Sequence, residues 1–377
     1  MEEIIKKHAK ILDDKKAQTT NKIKYVSKYV ENWLYVMANA KFSEGINFID
    51  CMCNAGIYLD GDFCTSIEAL KLFVASAAIH KDKTFNLYFN DYSEERISVL
   101  KEVIAKVYKT RLPNLHIYIS QKDVNEYLSC LSRETKRFLY PQATILYVDP
   151  YDFGTVHIPT LRTFCEKFYC ELLFNLFTSD WVRNRNNELD SRIDKVIDNP
   201  KVKINNKTEL VDYILKQLKV GRMQYSFNYE FHTETNVELY QIMYLTPKDT
   251  GLEKLKDALW DTFKGASYYR NPRKKKENTN QLSLFTPEFE EQLEKSTEQY
   301  IISCNVEQAI KIIDSLSTKK HLSYNDLAIP ILEKTILKKS HLKTNLFEPL
   351  IKEGKLVKLN ENVRKNNYTA DFYDIKG

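Results

Sequence analysis

The chain has 377 residues, 43% of them hydrophobic and 12% aromatic, with 56 Lys and Arg against 51 Asp and Glu and a net charge of +5. This apolar content predicts a folded protein of two or three domains and excludes a disordered or fibrous chain. No run of about 18 apolar residues occurs and the first residues lack the segments of a signal peptide, so we expect no membrane contact and a cytoplasmic location.

The first predicted element is a helix, because apolar residues recur at helical spacing over residues 22–41. Five short apolar runs follow, each succeeded by a helical pattern, and they predict the buried parallel strands of an α/β sheet. These runs are Ile46–Asp50, Phe85–Asn90, Leu115–Ser120, Ala143–Asp149 and Glu171–Phe177. Two further runs, Met223–His232 and Glu238–Thr246, predict an antiparallel pair that completes the sheet.

The C-terminal third changes in character. A basic run and a polar stretch predict a linker over residues 269–300, after an N-terminal helical segment (1–44) and the α/β domain (45–268). In residues 301–377, helical patterns at 306–315, 324–334 and 339–353 precede a hairpin at 356–359 and 367–375, which predicts a winged helix-turn-helix. Gly354 is expected to be left-handed at the end of the third helix.

The seven cysteines and few glycines restrict the chemistry further. An odd number of cysteines without paired C-x-x-C or histidine knuckles predicts reduced thiols and no metal site. Only nine glycines occur, so each is expected where the backbone demands it.

The first strand leads into residues 50–56, DCMCNAG, which resemble a ligand-binding loop. An acidic residue at a strand end followed by small residues lets a nucleotide-like ligand approach the backbone. Asn54 takes the place of a glycine, and asparagine tolerates a positive φ. We therefore expect Asp50, Asn54 and Gly56 to bind the ligand.

Acidic residues also follow the second and third strands. Asp91 is placed to accept from ribose hydroxyls, and Asp123 or Asn125 from an adenine amino group. Each acid alone is equally compatible with a solvated loop. Carboxylates would repel phosphate, and no G-x-G-x-x-G occurs, so the series favours a cationic adenosine ligand such as S-adenosylmethionine over NAD or ATP.

The fourth strand ends in residues 149–154, DPYDFG, which bear Asp149, Pro150, Tyr151 and Asp152. An Asp-Pro-aromatic strand end is typical of amino-group methyltransferases, in which the acid accepts from the target amine and the aromatic ring stacks on a flipped base. A simple turn closed by Gly154 is the alternative. These four residues are the predicted catalytic set.

Taken together, these segments resemble the three-Cys-motif partner (TcmP) family, bacterial and phage-associated proteins with a class I methyltransferase-like domain. The resemblance covers residues 20–290, and its motifs are the first loop, the Asp-Pro strand end and the late sequence Gln281–Phe285. It implies a Rossmann-like class I methyltransferase sheet, S-adenosylmethionine as cofactor and a role in phage defence or mobile-element conflict. Asn54 and the inserted Asp152 depart from the family pattern.

Two segments predict partners. Gln281–Phe285, QLSLF, is similar to peptides that bind a sliding clamp, but packing on the parent domain as an edge strand is the favoured interpretation. Residues 301–377 hold thirteen Lys and Arg against nine Asp and Glu, so the winged helix is expected to bind nucleic acid, DNA rather than RNA, or else a protein. The expected nucleic-acid contacts are Arg273, Lys274, Lys338, Lys339, His341, Lys343, Arg364 and Lys365.

The sequence thus predicts a methyltransferase that uses S-adenosylmethionine to methylate a nucleic-acid amino group. The alternative is a protein that keeps the fold without the reaction and binds nucleic acid or a partner as a scaffold, which the departures at Asn54 and Asp152 favour. A nuclease with a divalent cation at Asp149 and Asp152 is a third interpretation.

Overall fold

The computed structural model describes residues 1–177, 193–199, 202–233, 238–265, 268–269, 287–359 and 372–375. The chain divides into two compact units. The first comprises Met1–Gly251 with Ser267–Arg273, and the second Leu252–Ala266 with Lys274–Gly377. The predicted helical segment 1–44 is therefore part of the α/β unit, and residues 252–266, predicted to end that unit, belong with the C-terminal one.

The first unit alternates strands and helices along most of its length. Its strands are β1 Gly45–Asp50, β2 Thr84–Asp91, β3 Leu115–Gln121, β4 Gln142–Val148, β5 Cys170–Leu176, β6 Tyr225–Thr233, β7 Glu238–Thr246 and β8 Tyr268–Tyr269. Its helices are α1 Glu2–His8, α2 Ala17–Asn39, α3 Thr65–Ile79, α4 Glu94–Val107, α5 Val124–Arg133, α6 Thr135–Phe138, α7 Ile158–Lys167 and α8 Lys207–Leu218. The five predicted parallel strands and the predicted antiparallel pair are confirmed, except that β3 is not a buried strand: only its Leu115 is buried, because β3 lies at the edge of the sheet.

The strands form one sheet in the order β3-β2-β1-β4-β5-β7-β6-β8. Strands β1 to β5 are parallel, whereas β7 runs antiparallel to both β5 and β6. This order, with an antiparallel β7 beside β5, is that of a class I methyltransferase-like sheet. The strand order reverses between β1 and β4. A crevice therefore opens where the carboxyl ends of the parallel strands meet, which is the usual position of a ligand in such sheets.

The core lies on both faces of the central strands. Every residue of β1 is buried, and Phe48 packs against Phe73 of α3 with ring centroids 6.2 Å apart. Helix α2 also belongs to this core, since Tyr25, Tyr29 and Trp33 along it are almost completely buried. Burial on both faces explains why the strand sequences are continuously apolar.

The second unit contains the predicted helices and hairpin, with differences in extent. Its elements are the part of α9 (Asp249–Phe263) from Leu252 on, α10 Pro287–Asp314, β9 Leu322–Ser323, α11 Tyr324–Lys334, a helix that runs through Lys339–His341, a π-helical Leu342–Phe347 and Glu348–Lys352, and strands β10 Leu356–Lys358 and β11 Phe372–Ile375. The strands pair in the order β10-β11-β9. Strand β9 was not predicted, and α10 begins inside the predicted linker. Gly354 has the expected positive φ, 73°.

The cysteines agree with the sequence-based expectation, because all seven are free thiols. In the parts of the chain that the structure describes, no helix is both long and apolar enough to cross a membrane. Over the same ranges, no three or more His, Cys, Asp or Glu side chains are grouped so as to hold a metal ion.

Candidate functional site

Two cavities adjoin at the carboxyl edge of the parallel strands in the first unit. The larger, about 470 Å³, is lined at its base by Asp50 and Asn54 and on one side by Asp149. The smaller, about 370 Å³, is lined by Asp91 and Asp123. Met52, Arg96 and Tyr151 line both cavities and therefore lie at their junction.

The first loop adopts the conformation expected from its residues. Asn54 has a φ of 57° and Gly56 a φ of 80°, so both residues are left-handed. A Cβ added to Gly56 would lie 2.7 Å from Leu100 Cδ1, which shows that the loop packs tightly on α4. The backbone N–H of Asn54 donates to Asp91 Oδ2 at 3.0 Å, which joins the ends of β1 and β2.

Asp50 lies at the base of the larger cavity and is almost fully buried, with 1% of its surface exposed. Its Oδ1 accepts from the backbone N–H of Met52 at 3.2 Å. The pKa of Asp50 is raised to about 8, mainly by burial and also by the nearby carboxylates of Asp149 and Asp91, whereas the Met52 hydrogen bond and the charge of Lys22 lower it. Asp50 is therefore largely protonated at neutral pH.

Asp91 ends β2 and is also buried. Its two oxygens accept from backbone N–H groups, Oδ2 from Asn54 and Oδ1 from Ser93 at 2.9 Å. Each carboxylate oxygen has about two acceptor positions, so one position per oxygen is left for a ligand. This geometry suits a pair of hydroxyl donors.

Asp123 and Asn125 are partly committed to local structure. Asp123 is the N-cap of α5 and accepts from the N–H groups of Asn125 and Glu126 at 2.8 and 3.3 Å. The Asn125 amide donates to Thr155 O at 2.9 Å and accepts from His157 N at 2.8 Å. Asp123 lines the smaller cavity, whereas the two hydrogen bonds of the Asn125 amide fasten α5 to the loop after β4.

Asp149, immediately after β4, is held by three donors. Lys22 and the Tyr147 hydroxyl donate to Oδ2, the latter at 3.1 Å, and Asn175 Nδ2 donates to Oδ1 at 3.0 Å. The carboxylate lines the larger cavity and is 17% exposed. It is thus oriented by side chains from α2, β4 and β5.

Of the other three residues of the predicted catalytic set, two line a cavity and one does not. Pro150 and Tyr151 line the larger cavity, and the Tyr151 hydroxyl accepts from Arg96, whose guanidinium lies 5.1 Å from the ring centroid. The exposed Asp152 accepts from the Thr155 hydroxyl and lines neither cavity. Gly154 has a φ of 119°, in agreement with the predicted turn.

Three residues of the site, Asp13, Lys22 and Arg96, were not anticipated from the sequence. Asp13, in the segment between α1 and α2, accepts from Arg96 Nη2 at 3.1 Å and from Asn54 Nδ2 at 2.9 Å. Lys22 of α2 pairs with Asp149, as described above. These contacts join residues far apart in the chain, so no local pattern signals them.

In the second unit, the predicted nucleic-acid contacts at the start of the third helix are engaged within the unit. Lys338 pairs with Asp257 at 3.7 Å, and Lys339 pairs with Glu253. His341 packs edge-on against Trp260 with centroids 4.7 Å apart, and burial lowers its pKa to about 4. Lys343 is half-buried. Arg273, Lys274, Arg364, Lys365 and Gln281–Phe285 lie outside the described residues.

The chain matches no protein-family model and no curated protein. Protein LPL1258 from Legionella pneumophila is 10% identical, with a TM-score of 0.38 over 66% of this chain and 93% of that one. A SAM-dependent methyltransferase from Agrobacterium tumefaciens is 10% identical, with a TM-score of 0.34 over 58% and 61%. A 16S rRNA (adenine(1408)-N(1))-methyltransferase from Catenulisporales acidiphilia is 10% identical, with a TM-score of 0.28 over 58% and 92%. Because these identities and TM-scores are low, the fold assignment rests on the strand order of the sheet and not on the similar structures.

Proposed function

We propose that the protein is an S-adenosylmethionine-dependent methyltransferase that acts on an amino group of a nucleic acid. The observation that carries the proposal is the placement of Asp50, Asp91 and Asp149 around two adjoining cavities at the carboxyl edge of a methyltransferase-like sheet. The cavities, about 470 and 370 Å³, are within the range of small-molecule sites.

The chemistry of the residues present fits S-adenosylmethionine. Asp91 keeps one acceptor position on each oxygen for the ribose hydroxyls, and Asp123 lies in the same cavity for the adenine. Asp50, Asn54 and Gly56 form the loop that would hold the methionine end, where a cationic ligand would favour the ionised form of Asp50. Acceptor groups therefore dominate among these residues, as the hydroxyl and amino donors of the ligand require.

Catalysis would consist mainly of positioning and electrostatics. S-adenosylmethionine supplies, when bound, a methyl group already activated by its sulfonium. Asp149 accepts an N–H of the target amine and orients its nitrogen, and Pro150 and Tyr151 border the same cavity. The exposed face of Tyr151, whose side chain is 55% accessible, suits stacking on a base.

The proposed acceptor and biological context are supported by the second unit and by the family resemblance. The order of helices and strands in the second unit supports a winged helix, and the excess of lysine in residues 301–377 supports nucleic acid, DNA rather than RNA, as its ligand. The resemblance to the TcmP family supports a role in phage defence or mobile-element conflict, and Gln281–Phe285 remains the proposed protein-binding segment.

The test is transfer of labelled methyl groups from S-adenosylmethionine to single-stranded and duplex DNA and to RNA. Asp149→Ala is expected to lower the rate by at least about a hundredfold. Asp152→Ala, on the same turn but outside both cavities, serves as the matched control and should retain activity. Equal rates for the two variants would contradict the assignment of Asp149.

A second candidate is a methyltransferase fold that binds nucleic acid or a partner without catalysis. The observation in its favour is the ion pair between Lys22 and Asp149, which already satisfies much of the carboxylate. Wild-type protein that binds S-adenosylhomocysteine but transfers no methyl group to any of these nucleic acids would support this candidate over the enzyme.

A further inference from the structure

The hydrogen bonds of Asp149 leave a defined vacancy on one oxygen. Oδ2 accepts from Lys22 and Tyr147, and Oδ1 accepts from Asn175. A carboxylate has about four acceptor positions, two on each oxygen. Among the contacts of the described residues, Oδ2 is therefore full, and Oδ1 keeps a single position for a donor in the cavity.

The donors to Asp149 are themselves fixed. Asn175 is completely buried, and its Oδ1 accepts from the Tyr25 hydroxyl at 3.2 Å. The Lys22 side chain is only 14% exposed, and its Nζ lies 6.0 Å from the ring centroid of Tyr240. The carboxylate is consequently held in one orientation, with its charge compensated in a site of low exposure.

The charges around the larger cavity also balance. Three acids, Asp13, Asp14 and Asp149, stand against three bases, Lys16, Lys22 and Arg96. Asp50 adds little negative charge at neutral pH because burial raises its pKa to about 8. A compensated carboxylate no longer attracts a cation strongly, whereas an uncompensated one would.

We propose that Lys22 determines acceptor specificity: by pairing with Asp149, it makes the cavity select a neutral aromatic amine, such as the exocyclic amine of a base, over an alkylammonium ion. This inference rests on the proposed methyltransferase function. Lys22 acts through Asp149 and is a positioning residue.

The transfer step agrees with this selection. A neutral amine donates one N–H to Asp149 Oδ1, and its nitrogen lone pair forms the new N–C bond while the pair of the broken S–C bond stays on sulfur. The nitrogen then loses its surplus proton, which Oδ1 accepts and passes to water. An alkylammonium ion has no lone pair until it is deprotonated. Compensation of Asp149 therefore disfavours this acceptor in two ways, because the carboxylate neither attracts the cation strongly nor takes its proton readily.

The experiment compares Lys22→Met and Lys22→Arg with Lys28→Met, a change on the same helix at a lysine that pairs with Glu31 at 2.9 Å. The acceptors are an oligodeoxynucleotide that contains adenine and cytosine, and poly-lysine. We expect Lys22→Met to lower kcat on the oligonucleotide by at least about tenfold and to raise the relative transfer to poly-lysine. Lys22→Arg should restore most of the rate, and affinity for S-adenosylhomocysteine should change by less than about twofold in all three.

Different failures have different meanings. If the wild type binds no S-adenosylhomocysteine, the proposed function fails. If the wild type methylates the oligonucleotide but Lys22→Met behaves like Lys28→Met, the specificity inference alone is overturned. If the wild type prefers poly-lysine, both the specificity inference and the nucleic-acid acceptor of the proposed function are overturned. Stability supplies an independent check, because Asp149→Asn should offset part of the destabilisation by Lys22→Met. A double variant no more stable than additivity predicts would contradict the pairing.

Discussion

The sheet edge of the first unit and the start of the third helix in the second unit both carry charged residues that the sequence marks as functional, but they use them differently. At the sheet edge, Asp50, Asp91 and Asp149 line cavities and keep acceptor capacity toward them. At the helix start, Lys338 and Lys339 are paired with acids of α9. Charge in a local pattern therefore identifies a functional surface only when the fold leaves that charge open to a ligand.

The physical reason for the difference is the direction in which each region faces. Parallel strands end at a common edge where backbone and side chains diverge, which leaves a crevice. The helix start instead packs against α9, where Trp260 Nε1 donates to Ile336 O at 2.8 Å and the buried Lys256 Nζ donates to Thr335 O. Burial lowers the pKa of that lysine, and Thr335, Ile336 and Leu337 are part of the core of the unit.

The largest expected effect concerns the buried Asp50. Its pKa is raised to about 8 in the folded protein, so the folded state retains a proton that the unfolded chain loses. Its stabilising contribution is therefore full below about pH 4 and falls by up to about 1.4 kcal/mol per pH unit until about pH 8. Asp50→Asn should remove this fall.

Urea unfolding of wild type and Asp50→Asn across this pH window measures the effect, with the exposed Asp82→Asn as the control for loss of one carboxylate. The difference in unfolding free energy between wild type and Asp50→Asn should change steadily with pH and level off above about pH 8. Parallel curves would show that Asp50 is ionised in the folded protein.

A smaller effect is expected from two left-handed glycines, one in each unit of the chain. Gly56 has a φ of 80° and a Cβ there would lie 2.7 Å from Leu100, whereas Gly354 has a φ of 73° and no atom within 4 Å of a Cβ. Gly354→Ala should cost about 1 kcal/mol for the backbone alone, and Gly56→Ala about 1–3 kcal/mol more for the contact.

Thermal or urea unfolding of the two alanine variants checks this contrast. Because both variants share the backbone term, their difference isolates the packing of the first loop on α4. Equal losses of stability would mean that the loop relaxes freely, and the site would then be less rigid than its contacts indicate.

The smallest effect concerns the paired lysines of the second unit. Glu253→Gln with Asp257→Asn removes the partners of Lys339 and Lys338, whose side chains are 29% and 28% exposed. If the unit binds duplex DNA, release of two lysines should raise affinity by less than about tenfold and steepen its dependence on salt.

Fluorescence anisotropy with labelled duplex DNA at several salt concentrations provides the measurement. Glu307→Gln with Asp314→Asn, two exposed acids of α10, controls for the change of two in net charge. An unchanged salt dependence in the double variant would show that these lysines contribute no phosphate contacts even when released.

Much of the fold was predictable because β1, β4 and β5 are almost entirely buried and rich in apolar residues. Acids end β1 and β2 and follow β4, at Asp50, Asp91 and Asp149. The positive φ of Asn54 also followed from its position among small residues. Asp123 was predicted only as a ligand, although Glu126 three residues later is a local signal of the helix N-cap that it forms.

The remaining features depend on tertiary packing. Lys22 and Asp13 reach the site because α2 and the segment before it fold over the sheet edge, and no pattern near either residue indicates this. The same holds for the pairing of Lys338 and Lys339 with α9, since their partners lie about eighty residues earlier in the chain.

The most direct test of the account is calorimetric titration of S-adenosylhomocysteine into wild-type protein and Asp91→Ala. Asp91 is the acceptor placed for the ribose hydroxyls, so we expect measurable binding by the wild type and affinity at least about tenfold lower in the variant. No heat of binding by the wild type at millimolar ligand, or equal affinity in the two proteins, would contradict a cofactor site at the sheet edge.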